Sequence, residues 1–158
     1  MTLSRQEVET RITTALNNLL SRDRYLLETG LSERCLAHRL AIYLEDVFDD
    51  WDVDCEYNRN GNWPKGVSGV HLTNECIDTL KKTDRVLPDI IVHKRGSDGP
   101  NLLAVEMKIA GRSGRECDIQ KIRGYISQLH YDYGLYVCMD KNAVQEQILF
   151  PEPTEATE

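Results

Sequence analysis

The sequence predicts an α/β domain in which helices flank a mixed central sheet. Amphipathic helical patterns precede and follow the strand-rich middle of the chain. Two strand-like runs, Ile90–Val92 and Leu102–Val105, are apolar on both faces, and central strands of that kind have to be covered by helices above and below. With 158 residues the chain has the size of one domain with a substantial core. We assign residues 1–150 to that domain.

A first helix is predicted to begin after Ser4 and to end near Ser21. Ser4 and Glu7 have the spacing of a capping box, in which each side chain binds the backbone N–H of the other residue. Apolar residues then recur at helical spacing: Val8, Ile12, Leu16, Leu19 and Leu20.

A second helix is predicted from about Glu33 to Phe48. Ser32 is its expected N-cap, and Leu31 and Leu36 have the spacing of a hydrophobic staple. Its buried stripe consists of Leu36, Leu40, Tyr43, Leu44 and Val47. Extending this stripe by three positions towards the N-terminus reaches Glu33, which places a carboxylate at the end of a core-facing stripe.

The middle of the chain begins with a strand and continues into a segment that is harder to interpret. Val53–Asn58 alternates apolar and polar residues and is followed by the turn pair Asn60-Gly61, which is typical of a half-exposed strand. Within residues 61–87, the pattern of His71–Lys82 is compatible with a short helix.

A β-hairpin is predicted from two apolar runs, Asp89–Lys94 and Leu102–Ile109, on either side of a turn cluster at residues 96–101. Facing residues of an antiparallel pair have a constant sum of positions. Asp89 and Glu106 sum to 195, which centres the turn inside that cluster. The two carboxylates should therefore lie opposite each other, with Lys108 on the same face as Glu106.

The remaining elements complete the sheet. A polar loop at residues 111–115 leads into a helix predicted from about Asp118 to His130. Gly134–Met139 is predicted to be a buried strand, and Gln147–Phe150 a closing strand. Residues 151–158 contain three glutamates and two prolines, and we expect them to form a disordered acidic tail.

Composition restricts the class of protein. No apolar run reaches the roughly 20 residues of a membrane span, and the N-terminus lacks the apolar stretch of a signal peptide, so we expect a cytoplasmic chain without a membrane partner. The net charge of −7 argues against nonspecific binding of nucleic acid over the whole surface. The cysteines are odd in number and have no CxxC spacing, which favours reduced thiols: Cys35, Cys55, Cys76, Cys117 and Cys138.

The charged end of the hairpin needs a physical explanation. Two carboxylates side by side in a partly buried place cost stability unless a cation intervenes. Lys108 supplies one positive charge, Glu33 would add a third negative charge, and a hard divalent cation such as Mg²⁺ would balance the excess. Carboxylates, Mg²⁺ and a nearby lysine can together hydrolyse phosphate esters. The alternative is a plain salt bridge between Lys108 and Glu106, with Asp89 capping its strand and Glu33 favouring a helix N-terminus.

At these residues the chain resembles the PD-(D/E)xK nuclease superfamily, and especially its small stand-alone bacterial and phage members. The motif consists of Pro88-Asp89 and Glu106-Met107-Lys108, with Glu33 at the place of the acid on the family's first helix. The resemblance covers Glu33 to Met139 and implies the restriction-endonuclease-like fold, an αβββαβ core. One position departs from the RecB-like branches, where a glutamine precedes a tyrosine by four residues, because Gln120 precedes Tyr125 by five.

The resemblance also implies roles for these residues. Asp89 and Glu106 would hold Mg²⁺, for which Mn²⁺ can substitute, with help from the Met107 carbonyl and Glu33. Lys108 would position and activate the attacking water. The family cleaves phosphodiester bonds in DNA and less often in RNA.

The helix after the motif offers candidate contacts to a nucleic-acid backbone. Asp118, Lys121 and Tyr125 share one helical face. Lys121, together with Arg112 and Arg115 of the preceding loop, would give the local cationic patch that a phosphate backbone requires. The alternative is a solvated helix end, in which Lys121 pairs with Asp118 in an exposed bridge.

Three interpretations of function stay open at this point. The first is a metal-dependent nuclease, whose specificity would come from a homodimer, a partner protein or the structure of the substrate. The second is a catalytically silent module of nuclease fold that binds a partner protein or nucleic acid. The third is a junction-resolving dimer.

Overall fold

The computed structural model describes residues 2–30, 32–55, 59–60, 63–64, 76, 87–97 and 99–153. Its helices are α1 (Arg5–Arg22), α2 (Arg24–Glu28), α3 (Glu33–Val47) and α4 (Arg115–Leu129). Its strands are β1 (Asp52–Cys55), β2 (Arg59–Asn60), β3 (Trp63–Pro64), β4 (Ile90–His93), β5 (Asn101–Ile109), β6 (Tyr131–Met139) and β7 (Val144–Phe150).

Five strands form one mixed sheet in the order β1–β4–β5–β6–β7, and β2 pairs with β3 separately. β4 is antiparallel to both β1 and β5, β6 is antiparallel to β7, and β5 and β6 are parallel. α4 connects the two parallel strands, since parallel neighbours need a crossover connection. The predicted α/β class, a mixed sheet flanked by helices, is confirmed.

Helices cover both faces of the sheet, as the apolar strands required. Ile90 and Val92 pack with α1 and α3, whereas Ile91 packs with α4 on the opposite face. Because side chains alternate along a strand, Asp89 lies on the α4 side together with Ile91. Glu106 lies on that side too, two positions beyond Ala104. The predicted acids therefore lie beneath α4.

The two N-terminal helices begin where the sequence predicts. The capping box between Ser4 and Glu7 is present, and α1 extends to Arg22. The Ser32 side chain accepts a hydrogen bond from the Cys35 N–H and caps α3. The short helix α2 was not predicted, because its five residues carry no apolar periodicity and none of them is buried.

Several predictions concern residues outside the described part of the chain. These are the staple residue Leu31, residues 56–58 of the first strand, most of the helix predicted at His71–Lys82, and residues 154–158 of the tail. Residues 151–153 are described, and the Arg5 side chain donates a hydrogen bond to the Pro151 carbonyl. None of the helices in the described ranges is long and apolar enough to cross a membrane.

A close approach of α4 to β6 fixes the height of that helix above the sheet. A Cβ atom on Gly134 would lie 2.3 Å from Ile122 Cγ2, far inside contact distance. Only glycine at this position lets the helix lie so near the strand. The side chains on the inner face of α4 are thereby set against β5 and β6.

The structure contains a disulfide between Cys76 and Cys117, with an S–S distance of 2.12 Å. The prediction that all cysteines are reduced is therefore wrong for this pair, whereas Cys35 and Cys138 lie outside the bond. The two residues are 41 positions apart, and spacing alone does not reveal a pairing that the fold creates. The expected cytoplasmic location rested partly on reduced thiols and stays a prediction.

Candidate functional site

The predicted register of the hairpin is present. Ile90 faces Val105, and continuing the pairing by one residue places Asp89 opposite Glu106. The Asp89 N–H donates to the Val105 carbonyl at 3.0 Å, and its carboxylate Oδ2 accepts from the Met107 N–H at 2.8 Å. The backbone and the side chain of Asp89 are thus both hydrogen-bonded to β5.

Glu106 is the most deeply buried acid of the site, with 2% of its surface exposed. Its Oε1 accepts a hydrogen bond from the Tyr125 hydroxyl at 2.7 Å, and its Oε2 accepts one from Lys121 Nζ at 3.2 Å. Burial raises the pKa of Glu106 well above its ordinary value, and the neighbouring charge of Asp89 raises it further. In the absence of a cation, the Glu106 carboxyl group therefore holds its proton more tightly than a carboxyl group in water does.

The pKa of Asp89 is also raised by burial, although the Met107 N–H and the charge of Lys121 oppose the rise. Two neighbouring acids with raised pKa values are the expected result when like charges share a desolvated place. A divalent cation would relieve the same repulsion that a proton relieves here.

Lys108 projects from β5 on the predicted face, but its partner is not Glu106. Its ammonium lies 2.9 Å from Asp118 Oδ2 and donates to the Ser113 carbonyl at 3.0 Å. The plain salt bridge between Lys108 and Glu106, considered above as the alternative, is therefore absent from the described structure. Glu106 takes its positive charge from Lys121 on α4 instead.

Asp118 belongs to the site, and its place there was not predicted. Its Oδ1 lies 2.8 Å from Lys121 Nζ, so the one carboxylate binds both lysines of the site. Asp118 is only 6% exposed, so the alternative of an exposed bridge to Lys121 is wrong. The signal available in sequence was that Asp118 directly precedes Ile119, at the edge of the apolar face that packs on the sheet.

Tyr125 lies in the same cluster rather than on the surface. It is fully buried, and burial raises the pKa of its hydroxyl, as does the charge of Glu106. The prediction that Tyr125 contacts a nucleic-acid backbone is inconsistent with this position. The shared face of Asp118, Lys121 and Tyr125 is confirmed, but it faces inward because α4 packs closely on β6.

Glu33 lies at the rim of the site, in the first turn of α3. Its Oε1 accepts a hydrogen bond from the Ile109 N–H at 3.1 Å, which joins α3 to the end of β5. Arg112 Nη1 lies 3.7 Å from the same oxygen, and 53% of the Arg112 side chain is exposed. The helix acid and the hairpin acids therefore line one place, as their positions in sequence predicted.

The predicted cationic patch does not form. Arg115 binds Glu146 through two hydrogen bonds of 2.6 and 2.7 Å and also contacts Glu116. Lys121 points inward to Glu106, and Arg112 is left at the rim. The three cations diverge because each has a different acidic neighbour, and Glu146 comes from β7, which begins before the predicted Gln147.

A cavity of about 230 Å³ is enclosed by the cluster. It is lined by Glu33, Asp89, Glu106, Met107, Lys108, Ser113, Gly114, Cys117, Asp118 and Lys121. A wider cleft of about 650 Å³ shares Glu33 and Asp89 with it and extends along the start of α3. Asp89 therefore borders both spaces, whereas Glu106 borders only the smaller cavity, which has the volume for an ion or a phosphate group.

The donor set fits Mg²⁺ only as a site with few protein ligands. Within the described ranges, no group of three or more His, Cys, Asp or Glu side chains is arranged to hold a metal ion. Mg²⁺ commonly uses one or two carboxylates and completes its shell with waters and substrate phosphates. Asp89 and Glu106 are the two carboxylates from adjacent strands in the lining of the cavity, with Met107 beside them.

The balance of charged side chains around the cavity bears on the same question of a bound cation. The carboxylates of Asp89, Glu106 and Asp118 outnumber the ammonium groups of Lys108 and Lys121 by one. Glu33 at the rim has Arg112 as its neighbour and does not add to this surplus. A buried surplus of this sign is costly unless a proton or a cation removes it.

No family model, no curated protein and no solved structure matches the chain. The geometry of the site and its charges are therefore the basis for assigning a function.

Proposed function

We propose that this chain is a Mg²⁺-dependent nuclease that hydrolyses phosphodiester bonds in nucleic acid, with DNA as the first substrate to test. The order of the large-sheet strands and their covering helices supports this proposal: apart from the separate pair β2 and β3, the chain runs α3, β1, β4, β5, α4 and β6. This order is compatible with a restriction-endonuclease-like αβββαβ core. The resemblance would assign roles to two acids from adjacent strands and to the lysine two positions after the second acid.

The observation that carries the proposal is the cavity beneath α4. Asp89, Glu106 and Lys108 all line it, although Asp89 is 19 positions from Lys108 in sequence. Glu106 and Lys108 are each paired with a residue of α4 rather than with each other. All three groups border the same cavity.

Asp89 and Glu106 are the residues that would hold the metal, with the Met107 carbonyl as a further oxygen. When bound, a divalent cation at this place would polarise a phosphoryl oxygen and lower the pKa of a coordinated water. The acids have the right ligand atoms for it, since Mg²⁺ prefers carboxylate and carbonyl oxygens.

Two of the three N–H groups of Lys108 have partners among the described residues, which leaves one for the reaction. An ammonium group has three donors, of which Asp118 and the Ser113 carbonyl accept two. The third can donate to an attacking water or to a phosphate oxygen in the cavity. A fixed positive charge at that point would stabilise the negative charge that develops on the phosphate.

A catalytically silent module is the second candidate, and one observation favours it. Both oxygens of Glu106 already accept hydrogen bonds, from Tyr125 and from Lys121. The protein itself therefore supplies a hydrogen-bond donor for each oxygen of Glu106, without a metal ion. On this view the cluster would stabilise the fold, and the chain would bind a partner or nucleic acid without cutting it.

Cleavage assays separate the two candidates. Labelled single- and double-stranded DNA and RNA would be incubated with the wild type and with Lys108→Ala, in Mg²⁺, in Mn²⁺ and in a chelator. We expect cleavage only with metal, and a loss of about 10²–10⁴-fold in Lys108→Ala, since positioned proton-transfer groups contribute that much. Lys94→Ala is a matched control, because Lys94 lies over the Trp51 ring, away from the cavity.

Metal affinity provides the second measurement. Mn²⁺ binding should be retained in Lys108→Ala and lost in Asp89→Asn, because only the latter removes a proposed ligand. Cleavage that persists in the chelator, or equal cleavage by Lys108→Ala and wild type, would contradict the proposal. Binding of nucleic acid by both proteins without cleavage by either would favour the silent module.

A further inference from the structure

Asp118 makes contacts that the two-acid, one-lysine motif does not explain. We infer that it is a positioning residue of the proposed nuclease site, which holds the ammonium groups of Lys108 and Lys121 so that both face the cavity. This inference rests on the proposed function and adds to it a second active-site cation and the residue that orients the pair.

The contacts of Asp118 are divided between the two lysines. Oδ2 lies 2.9 Å from Lys108 Nζ, and Oδ1 lies 2.8 Å from Lys121 Nζ. The side chains of all three residues are 8% to 14% exposed. Two ammonium groups this near to each other repel, and a carboxylate between them removes the repulsion while fixing both positions.

Each lysine keeps one donor for a ligand after its partners in the described structure are counted. Lys108 donates to Asp118 and to the Ser113 carbonyl. Lys121 donates to Asp118 and to Glu106. Because an ammonium group has three N–H donors, each lysine can give its third to an oxygen in the cavity that both of them line.

The backbone around Asp118 is fixed from two sides, as a positioning residue requires. Its N–H donates to the Gly114 carbonyl at 3.0 Å in the first turn of α4. The preceding residue, Cys117, is joined to Cys76 by the disulfide. The N-terminal end of a helix also favours a negative side chain.

The slot for the Lys108 ammonium is narrow on its other side. A Cβ atom at Gly114 would lie 3.2 Å from Lys108 Nζ. The ammonium is therefore held between the Asp118 carboxylate and the loop that precedes α4.

The role assigned to Asp118 is to orient the lysines, so its loss should affect turnover more than binding. We expect Asp118→Asn to lower kcat by about tenfold or more, as misplacement of a catalytic group does. KM should change by less than about twofold. The Mn²⁺ dissociation constant should rise but binding should persist, because the variant removes one negative charge near Asp89 and Glu106 and leaves these proposed ligands in place. Glu116→Gln is the matched control, since Glu116 lies in the same helical turn with 74% of its side chain exposed.

A double-variant comparison distinguishes positioning from general damage to the fold. If Asp118 acts through Lys108, then Asp118→Asn should cost much less in a Lys108→Ala background than in the wild type. Losses that simply multiply would overturn the inference. Complete loss of Mn²⁺ binding in Asp118→Asn, as expected for Asp89→Asn, would also overturn it, because Asp118 would then be a metal ligand.

Proton–nitrogen NMR of the lysine ammonium groups tests whether Asp118 positions Lys108 and Lys121, and it does not depend on an activity assay. Two ammonium signals that exchange slowly with water should be assigned to Lys108 and Lys121 by their alanine variants. Both should be lost or shifted in Asp118→Asn and unchanged in Glu116→Gln; unchanged signals in Asp118→Asn would overturn the inference. A wild type that cleaves no substrate would refute the proposed function itself, whereas full activity of Asp118→Asn would refute only the role of this residue.

Discussion

Replacing Glu106 by glutamine tests the charge balance on which the candidate metal site depends. The site holds the carboxylates of Asp89, Glu106 and Asp118 against the ammonium groups of Lys108 and Lys121. In Glu106→Gln the two signs are equal in number, and the side chain keeps its volume. We expect the metal-free variant to be more stable than the wild type at neutral pH and to lose its response to Mg²⁺.

The size of the effect follows from the cost of holding a proton. The ordinary pKa of Glu106 is 4.5, and burial raises the folded-state pKa well above it. Each pH unit between the ordinary pKa and the solution pH costs about 1.4 kcal/mol, which gives an upper limit of about 3 kcal/mol at pH 6.5. The glutamine loses a charge-assisted bond with Lys121, which offsets about 1–2 kcal/mol. The net gain at pH 6.5 is therefore at most about 2 kcal/mol, which corresponds to a rise of at most about 8 °C in Tm for a domain of this size.

The direction of the pH dependence follows from the same shift. Because the folded-state pKa of Glu106 is raised, the native chain holds this proton more tightly than the unfolded chain does. Its contribution to stability is fully present below the ordinary pKa and is lost as the pH rises towards the folded-state value. Asp89 contributes with the same sign, because burial raises its pKa as well.

Urea unfolding at several pH values, with Mg²⁺ or with a chelator, measures both effects. The metal-free wild type should lose stability with rising pH more steeply than Glu106→Gln. Mg²⁺ at 100 times its dissociation constant should add about 2.7 kcal/mol to the wild type and nothing to the variant. Glu146→Gln serves as the control, because it removes a partly exposed acid that is paired with Arg115.

Two results would refute this reasoning. If the free energy of unfolding changed equally with pH in the wild type and in Glu106→Gln, the buried Glu106 carboxyl group would not be destabilising. Equal stabilisation of both proteins by Mg²⁺ would mean that Glu106 is not a ligand.

Two further predictions concern the loop before α4 and the disulfide. Gly114→Ala should lower both stability and turnover, because φ is +102° and the new Cβ would lie 3.2 Å from Lys108 Nζ. Gly96→Ala is the control, because φ is +74° and no atom lies within 4 Å of the new Cβ. It should show only the backbone cost of about 1–2 kcal/mol in urea unfolding. Equal turnover of the two variants would contradict the narrow slot for Lys108. Alkylation of the denatured chain without a reductant should leave Cys76 and Cys117 unmodified, and Cys117→Ser should cost about 4 kcal/mol for a loop of this length; a mass that shows all five cysteines alkylated would contradict the bond.

The register of the hairpin was predictable because it depends on local signals. A turn cluster between two apolar runs fixes the centre of the pairing, and a one-residue slip would turn every side chain to the other face. For the same reason the positions of Asp89, Glu106 and Lys108 on one face could be predicted. The place of Glu33 could be predicted as well, since it continues the buried stripe of α3.

The charged partners of Glu106 and Lys108 could not be predicted, because they come from α4. The sequence shows that Asp118, Lys121 and Tyr125 share a helical face, but it does not show how closely that face packs. The approach of α4 to the sheet depends on Gly134, whose role is visible only when Ile122 lies against it. Once the helix is that near, an apparently solvated face becomes the cover of the cavity.

The disulfide and the divergence of the arginines have the same cause. Cys76 and Cys117, and likewise Arg115 and Glu146, are separated by 31 or more positions. Their pairing is a property of the assembled sheet and its covering helix. Residue types and spacing identified which groups carry charge, but not which of them neutralise one another.

The surplus of negative charge distinguishes a cluster that binds a cation from a cluster that only stabilises the fold. A cluster that served only to stabilise the fold would be more stable if its charges were equal, and one substitution, Glu106→Gln, would achieve that. The apolar contacts of Ile91, Ala104 and Ile122 around it already hold α4 on the sheet, so the acids are not needed to attach the helix. In the metal-free protein the third buried acid has a cost, because it must either hold a proton or leave a negative charge unbalanced. A bound cation would remove that cost, and this is why the metal dependence of stability, measured before any activity, tests the proposed function.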